Sequence, residues 1–189
     1  FRDVLEIARS NRPDLYNLVY EKPRPFVPRR LRVEVTERVS YKGEELVPLD
    51  EDDIRAAVAE LRRHGAEAVA ICFLHSYADP SHERRAAELV REAWPQVPVT
   101  ASHELTGEWR EYERTSTAVL DAYVKPVATG YLDALAQRLE DAGVPAHARY
   151  AMRSNGGVSR FDVAARAPIN LVESGPVGGV IGAAAVGME

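Results

Sequence analysis

Apolar positions along this chain change spacing several times, and each change predicts an element. Val4, Leu5 and Ala8 recur at helical spacing, so Phe1 to Ser10 reads as a short helix. Asn11 to Pro28 has no period. It carries Pro13, Pro23, Pro25 and Pro28 and reads as an extended stretch packed through Leu15, Tyr16, Leu18 and Tyr20. Leu31, Val33, Val35 and Val39 suggest a strand over Leu31–Val39. Tyr41 to Glu44 turns the chain, and Leu46 to Leu49 returns to complete a hairpin.

A helix–strand rhythm follows. Asp50 is a helix cap, with Asp53 in capping-box position; Ile54, Ala57, Val58 and Leu61 share one face, and His64-Gly65 ends the helix. The run Ala68 to Leu74 predicts a buried strand. Asp79 caps the next helix with Pro80 at its first position, and Ala86, Leu89, Val90 and Ala93 form the inner face before Pro95 stops it. Val97 to Thr100 predicts a second strand. Helix, strand, helix, strand is the order of an α/β layer.

Beyond Thr106 the pattern becomes mainly helical. Trp109, Tyr112, Ser116, Val119 and Tyr123 lie on one stripe, Pro126 breaks or kinks it, and Ala128, Tyr131, Leu132, Leu135 and Leu139 mark a second helix closed by Ala142-Gly143. A strand is expected through Ala148, Tyr150 and Met152, a turn at Ser154 to Gly157, and a helical stretch from Phe161 to Ala165. The apolar run Ile169 to Val172 predicts a strand that ends in a Ser-Gly-Pro turn. A glycine-rich segment follows and becomes helical by Ala183 to Val186. A boundary near Pro126 divides the chain into residues 1–125 and 126–189.

Composition narrows the function. Of 189 residues, 46% are hydrophobic and 28% charged, as in ordinary globular proteins, and the net charge of −5 argues against a nucleic-acid surface. The basic run Lys22, Arg24, Arg29, Arg30 and Arg32 is interrupted by prolines and flanked by glutamates, so a solvated connector is preferred. Cys72, the only cysteine, lies in an apolar run and reads as a small core residue. No run has the length of a membrane span, and the cytoplasm is the default location. No methionine precedes Met152, and the chain stops at Glu189 just after the glycine-rich element. It therefore reads as an internal piece of a larger protein.

Candidate chemistry sits in four places. Ser174-Gly175-Pro176-Val177-Gly178-Gly179 joins a strand to a helix, where backbone amides suit a phosphate; tight helix-to-sheet packing is the equal alternative. Asn155-Gly156-Gly157 falls at a strand end, where ligands gather in open α/β sheets, but a plain turn explains it as well. His75, Asp79 and His82 match no standard metal spacing. No metal is assigned to them, and His75 is kept as a polar contact near a cleft. In Glu111-Tyr112-Glu113-Arg114-Thr115-Ser116-Thr117, Arg114 is a candidate for an anion with Glu111 orienting it, against the alternative of a surface ion pair.

Taken in order, several strings resemble the hydantoinase/oxoprolinase family of N-methylhydantoinase A subunits, 5-oxoprolinases and acetone carboxylase β subunits. They are Phe1-Arg2-Asp3-Val4-Leu5-Glu6-Ile7, Arg12-Pro13-Asp14-Leu15-Tyr16 and Phe73-Leu74-His75-Ser76-Tyr77, then the Glu111–Thr117, Ser154–Gly157 and Ser174–Gly179 strings. The resemblance implies part of an actin/sugar-kinase-like ATPase fold, with mixed sheets and flanking helices. It implies ATP and Mg²⁺ in the parent protein, with neither expected to stay tightly bound to this piece. The family holds phosphates and Mg²⁺ with Asp-x-Gly-Gly-Thr loops, which this chain lacks; one is expected upstream of Phe1 and the other downstream of Glu189.

The implied chemistry is ATP-driven opening of a cyclic amide, hydantoin or 5-oxoproline. Phosphoryl transfer to the carbonyl oxygen removes amide resonance and creates a leaving group. The alternatives are a structural or subunit-contact module of such an enzyme, or part of an ATP-dependent ketone carboxylase. A partner subunit of hydantoinase B type is implied, and no nucleic acid or membrane partner. By position, Ser174, Gly175, Gly178 and Gly179 would lie near the nucleotide, Asn155, Gly156 and Gly157 would border the cleft, and Arg114, Glu111 and His75 are the catalytic candidates.

Overall fold

The computed structural model describes residues 1–9 and 11–188. They form two compact units, Phe1–Ala122 and Tyr123–Glu189.

The first unit is built around a parallel strand pair. Strand β3 (Val69–Ile71) lies beside β4 (Val99–Ala101) in the register Val69↔Val99, Ala70↔Thr100, Ile71↔Ala101. Helix α3 (Ser81–Ala93) makes the crossover, and α2 (Glu51–Arg63) packs on it. The core is Ile54, Val58, Val69, Ile71, Ala86, Ala87, Leu89, Val90, Val97, Val99 and Ala101, the apolar positions that the periodicity marks out. Local chemistry sets the limits of α2. Asp50 accepts from the amides of Asp52 and Asp53 at 2.9 and 3.1 Å; Glu51, Asp52 and Asp53 face the positive helix end, and Arg62 and Arg63 the negative one. Gly65 then takes φ +71, a left-handed cap that only glycine adopts without strain.

Helix α1 (Val4–Ile7) is shorter than expected. The strand predicted over Leu31–Val39 shrinks to β1 (Arg38–Val39), which pairs antiparallel with β2 (Glu45–Val47). Among the described residues no strand neighbours the segment before β1: Arg29–Leu31 form a 3₁₀ turn after Pro28, and the Thr36 amide donates to Asp53 at 2.9 Å. Asp53 therefore ties down Thr36 rather than completing a capping box. Helix α3 begins at Ser81, one residue later than expected, with Asp79 accepting from the Ser81 amide and hydroxyl.

Helix α4 (Ser102–Leu105) follows β4 directly. The two helices expected on either side of Pro126 are one 31-residue helix, α5 (Glu111–Asp141). Proline removes one ladder bond, and the turns on both sides carry the helix through. Trp109 lies ahead of the helix, exposed, with Arg110 over its ring at 5.5 Å.

In the second unit, β5 (Tyr150–Met152) and β6 (Val158–Arg160) form an antiparallel hairpin followed by α6 (Phe161–Arg166). The predicted strand Ile169–Val172 is instead a 3₁₀ turn, Pro168–Leu171. The Asn170 carbonyl takes the Ser154 amide at 2.7 Å and its hydroxyl at 3.1 Å, so this segment braces the hairpin turn and joins no sheet. Helix α7 (Ser174–Gly187) starts at the Ser-Gly-Pro string, which is its first turn and not a loop ahead of it. Pro176 sits where a helix has no use for an N–H.

Candidate functional site

Parallel strands gather chemistry at their carboxyl ends. Beyond β3 and β4 lies a buried polar centre that only tertiary structure assembles. Glu83 of α3 is fully buried. Its carboxylate accepts from the Phe73 amide (2.8 Å), the hydroxyls of Ser76 (2.8 Å) and Ser102 (2.7 Å), and the amide and Nδ1 of His103 (both 2.9 Å). Burial alone would raise its pKa. The donors from His103, Ser102 and Phe73 outweigh that and hold it below the usual carboxylate range.

Arg114 of α5 is also buried, 1% exposed. It donates to the carbonyls of Phe73 and Glu108 and lies over the Tyr77 ring at 5.8 Å, while its Nε has no partner among the described residues. Glu111 is not among its partners. The backbone of Phe73 is thus held on both sides, its N–H by a carboxylate and its C=O by a guanidinium. This fixes the loop after β3, in which His75 takes φ +61. His75 donates from Nδ1 to the Val39 carbonyl at 2.9 Å and meets Tyr77 edge-on. Cys72 contacts the Thr115 hydroxyl at 3.0 Å, and burial pushes its thiol pKa up, which keeps it protonated.

The structure does not bring His75, Asp79 and His82 to one point. His82 lies between Glu37 and Glu45, 2.9 Å from each. Among the described residues no group of three or more His, Cys, Asp or Glu side chains is placed to hold a metal ion. No helix of the described residues is long and apolar enough to cross a membrane.

In the second unit the two glycine strings do meet. The hairpin turn closes through Arg153, Gly156 at φ +84 and the Asn155 side chain, which accepts the Gly157 amide at 3.1 Å. The turn lies against the first turns of α7: a methyl group on Gly156 would fall 2.7 Å from Ile181 Cδ1, and one on Gly178 would fall 2.8 Å from Met152 Sδ. These two glycines let the helix touch the hairpin. Gly175 and Gly179 have nothing within 4 Å of a Cβ. The amides of Ser174 and Gly175 have no acceptor among the described residues, and no side chain caps the helix. Open backbone at a helix start fits a phosphate group. Beside it, Tyr131, Leu135, Tyr150, Met152, Phe161 and Ser174 line an open apolar depression of about 320 Å³.

Sequence reasoning missed Glu83, Ser102 and His103. One signal was available: Glu83 shares a helical stripe with Ala86, Ala87 and Val90, so a carboxylate sits on the buried face.

Comparison with known proteins gives the lineage. Residues 1–94 match the hydantoinase/oxoprolinase N-terminal region and residues 114–189 the hydantoinase/oxoprolinase domain. Caprolactamase subunit alpha of Pseudomonas jessenii is 39% identical over 92% of this chain and 25% of its own length. The 5-oxoprolinase of Saccharomyces cerevisiae is 31% identical over 96% of this chain and 16% of its own. A nucleotide-free structure from a study of ATP-dependent acetone carboxylation superimposes with a TM-score of 0.80 at 31% identity, covering 89% of this chain and 24% of that one. The chain spans about a quarter or less of the length of these relatives. With the two matches together taking in residues 1–94 and 114–189, and its α/β fold shared with ATP-dependent enzymes, the chain belongs to the hydantoinase/oxoprolinase family.

Proposed function

We propose that this chain is the part of an ATP-dependent cyclic amide hydrolase that touches the nucleotide. The observation that carries the reading is the meeting of the Asn155–Gly157 turn with the start of α7, where the Ser174 and Gly175 amides are free and Gly175 and Gly179 leave open space. In this reading Ser174, Gly175 and Gly179 approach phosphate through backbone, and Asn155 borders the cleft with its free amide group. Gly156, Gly157 and Gly178 hold the turn and helix in place. ATP supplies the phosphoryl group that activates the ring carbonyl. Mg²⁺ is assigned no ligand among the described residues, and no step is derived through it.

The names of the caprolactamase and 5-oxoprolinase relatives favour ring opening of a lactam, and the acetone carboxylase likeness favours a ketone as the second reading. Several relatives are named as subunits, which supports a partner subunit, of hydantoinase B type in the first reading. The third reading, a purely structural module, draws on the packing roles of Gly156 and Gly178.

The test uses the full-length protein with its partner subunit. ATP binding is titrated calorimetrically, and ADP release is followed with 5-oxoproline, hydantoin, a simple lactam, or a ketone with bicarbonate. Amide-dependent ADP release that falls in Gly175→Val supports the main reading. Release with only a ketone selects the second reading, and saturable ATP binding unaffected by Gly175→Val selects the third.

A further inference from the structure

We infer that His103, oriented by Glu83, is a proton-transfer residue in a second site, at the carboxyl ends of β3 and β4. The inference rests on the ring-opening reading above for its substrate class.

The geometry has three parts. First, Glu83 accepts from His103 Nδ1 at 2.9 Å, so Nδ1 carries a proton and Nε2 is the ring nitrogen left to exchange one. Second, Glu83 is not itself available as a base. It is fully buried, five hydrogen bonds fill its acceptor sites, and its pKa is held down. Third, Nε2 has no partner among the described residues, and the side chain keeps 15% of its surface open. A carboxylate that fixes the tautomer of an imidazole, and stabilises it once protonated, is the arrangement by which enzymes make a base of histidine.

His82 and His75, the other two histidines with side-chain hydrogen bonds among the described residues, differ. His82 has both nitrogens on carboxylates, and His75 is bonded to a carbonyl with no acid behind it. Glu104, next to His103 in sequence, has Arg91 of α3 as its partner at 3.5 Å, on the exposed side.

The step balances without a further reactant once the ring carbonyl oxygen carries a phosphoryl group from a nucleoside triphosphate. A water oxygen bonds to the activated carbon, and the proton it loses moves to His103 Nε2. The C=N electron pair moves onto the ring nitrogen, which takes the proton back from Nε2; the C–N bond then breaks with its electron pair leaving on the amine, the new hydroxyl gives its proton to solvent as the C=O forms, and the phosphoryl group stays on the acyl oxygen of the opened chain. Glu83 is a positioning residue throughout.

Two measurements on the full-length protein decide the matter. His103→Asn keeps a donor where Nδ1 stands, so Glu83 stays satisfied, but it removes the base. It is expected to lower kcat for amide-dependent turnover by about 100-fold or more, to leave KM for ATP and amide within about threefold, and to erase the acid limb of the kcat profile. A kcat within about threefold of wild type, or an unchanged acid limb, overturns the inference. Carbethoxylation at neutral pH, read residue by residue by mass spectrometry, is independent of turnover. His103 is expected to react at least about tenfold faster than His82, since a free ring nitrogen is the nucleophile. If the wild type opens no cyclic amide, the ring-opening reading falls and this measurement alone decides whether Nε2 is open; a His103 as slow as His82 overturns the inference.

Discussion

Gly178 and Gly179 are adjacent on α7 and have opposite surroundings, so the same substitution at each should give opposite results. Alanine is favoured over glycine by about 1 kcal/mol in a helix interior. At Gly179 nothing lies within 4 Å of the new methyl group. The gain stands alone there, and Gly179→Ala should stabilise the second unit by about 0.5–1 kcal/mol. At Gly178 the methyl group falls 2.8 Å from Met152 Sδ, with Met152 Cε at 3.7 Å. Sulfur lies mid-way along that side chain, so either Met152 changes rotamer or α7 backs away from β5. Overpacking of this kind costs about 1–3 kcal/mol. After the propensity gain, Gly178→Ala should be destabilising by up to about 2 kcal/mol. The assay is hydrogen exchange on peptides spanning 146–166 and 174–187 of the full-length protein, with ATP titration of the same samples. Faster exchange is expected in Gly178→Ala and slower in Gly179→Ala. If backbone at Gly179 approaches the phosphates, Gly179→Ala also weakens ATP by about tenfold, or 1.4 kcal/mol, despite its firmer helix. Equal exchange in the two variants would refute the packing argument, and unchanged ATP affinity in Gly179→Ala would remove that residue from the nucleotide site.

Arg114→Ala takes both carbonyl contacts and the Tyr77 stacking from a buried position and should cost about 3 kcal/mol in urea unfolding; an unmoved midpoint would contradict the clamp on Phe73. For His82, burial lowers the pKa, but hydrogen bonds to Glu37 and Glu45 together outweigh it, and the net direction is upward. Its stabilisation is therefore complete below about pH 6.5 and is lost as pH rises through the folded value. Unfolding free energy measured from pH 6 to 9 should fall by about 1–2 kcal/mol more in wild type than in His82→Leu, and parallel curves would refute the pairing. Asp50→Ala removes the α2 cap and should cost about 1 kcal/mol in the same assay, with no change in ATP binding.

The part of the fold that could be read in advance is the part whose core is written in local spacing. Ile54, Ala57 and Val58, the Asp50 cap, the Gly65 stop and the runs at Val69–Ile71 and Val99–Ala101 all specify themselves within a few residues. Elements that depend on a distant partner could not be read this way. Leu31 to Val35 alternate like a strand but find no edge to join, and Ile169 to Leu171 are claimed by the hairpin turn through Asn170. Pro126 looked like a helix end because the rule weighs one lost bond and not the turns on both sides. In the second unit both glycine strings were visible, and so was the ambiguity between packing and ligand approach. In the structure Gly156 and Gly178 are packed, and Gly175 and Gly179 have nothing within 4 Å of a Cβ. The Glu83 centre was hidden because its donors lie 7, 19 and 20 residues away, at Ser76, Ser102 and His103.

The grip on Phe73 ties together two side chains that need not touch. Glu83 and Arg114 are 31 positions apart in sequence, yet each holds one backbone group of the same residue, the acid its N–H and the base its C=O. Neither has an independent history open to it. Losing the acid alone would strand a cation in the interior, and losing the base alone would strand an anion. Across diverging descendants of this sequence the two should be kept or exchanged as a couple, and a chain in which only one has changed should carry a third substitution nearby that restores electroneutrality.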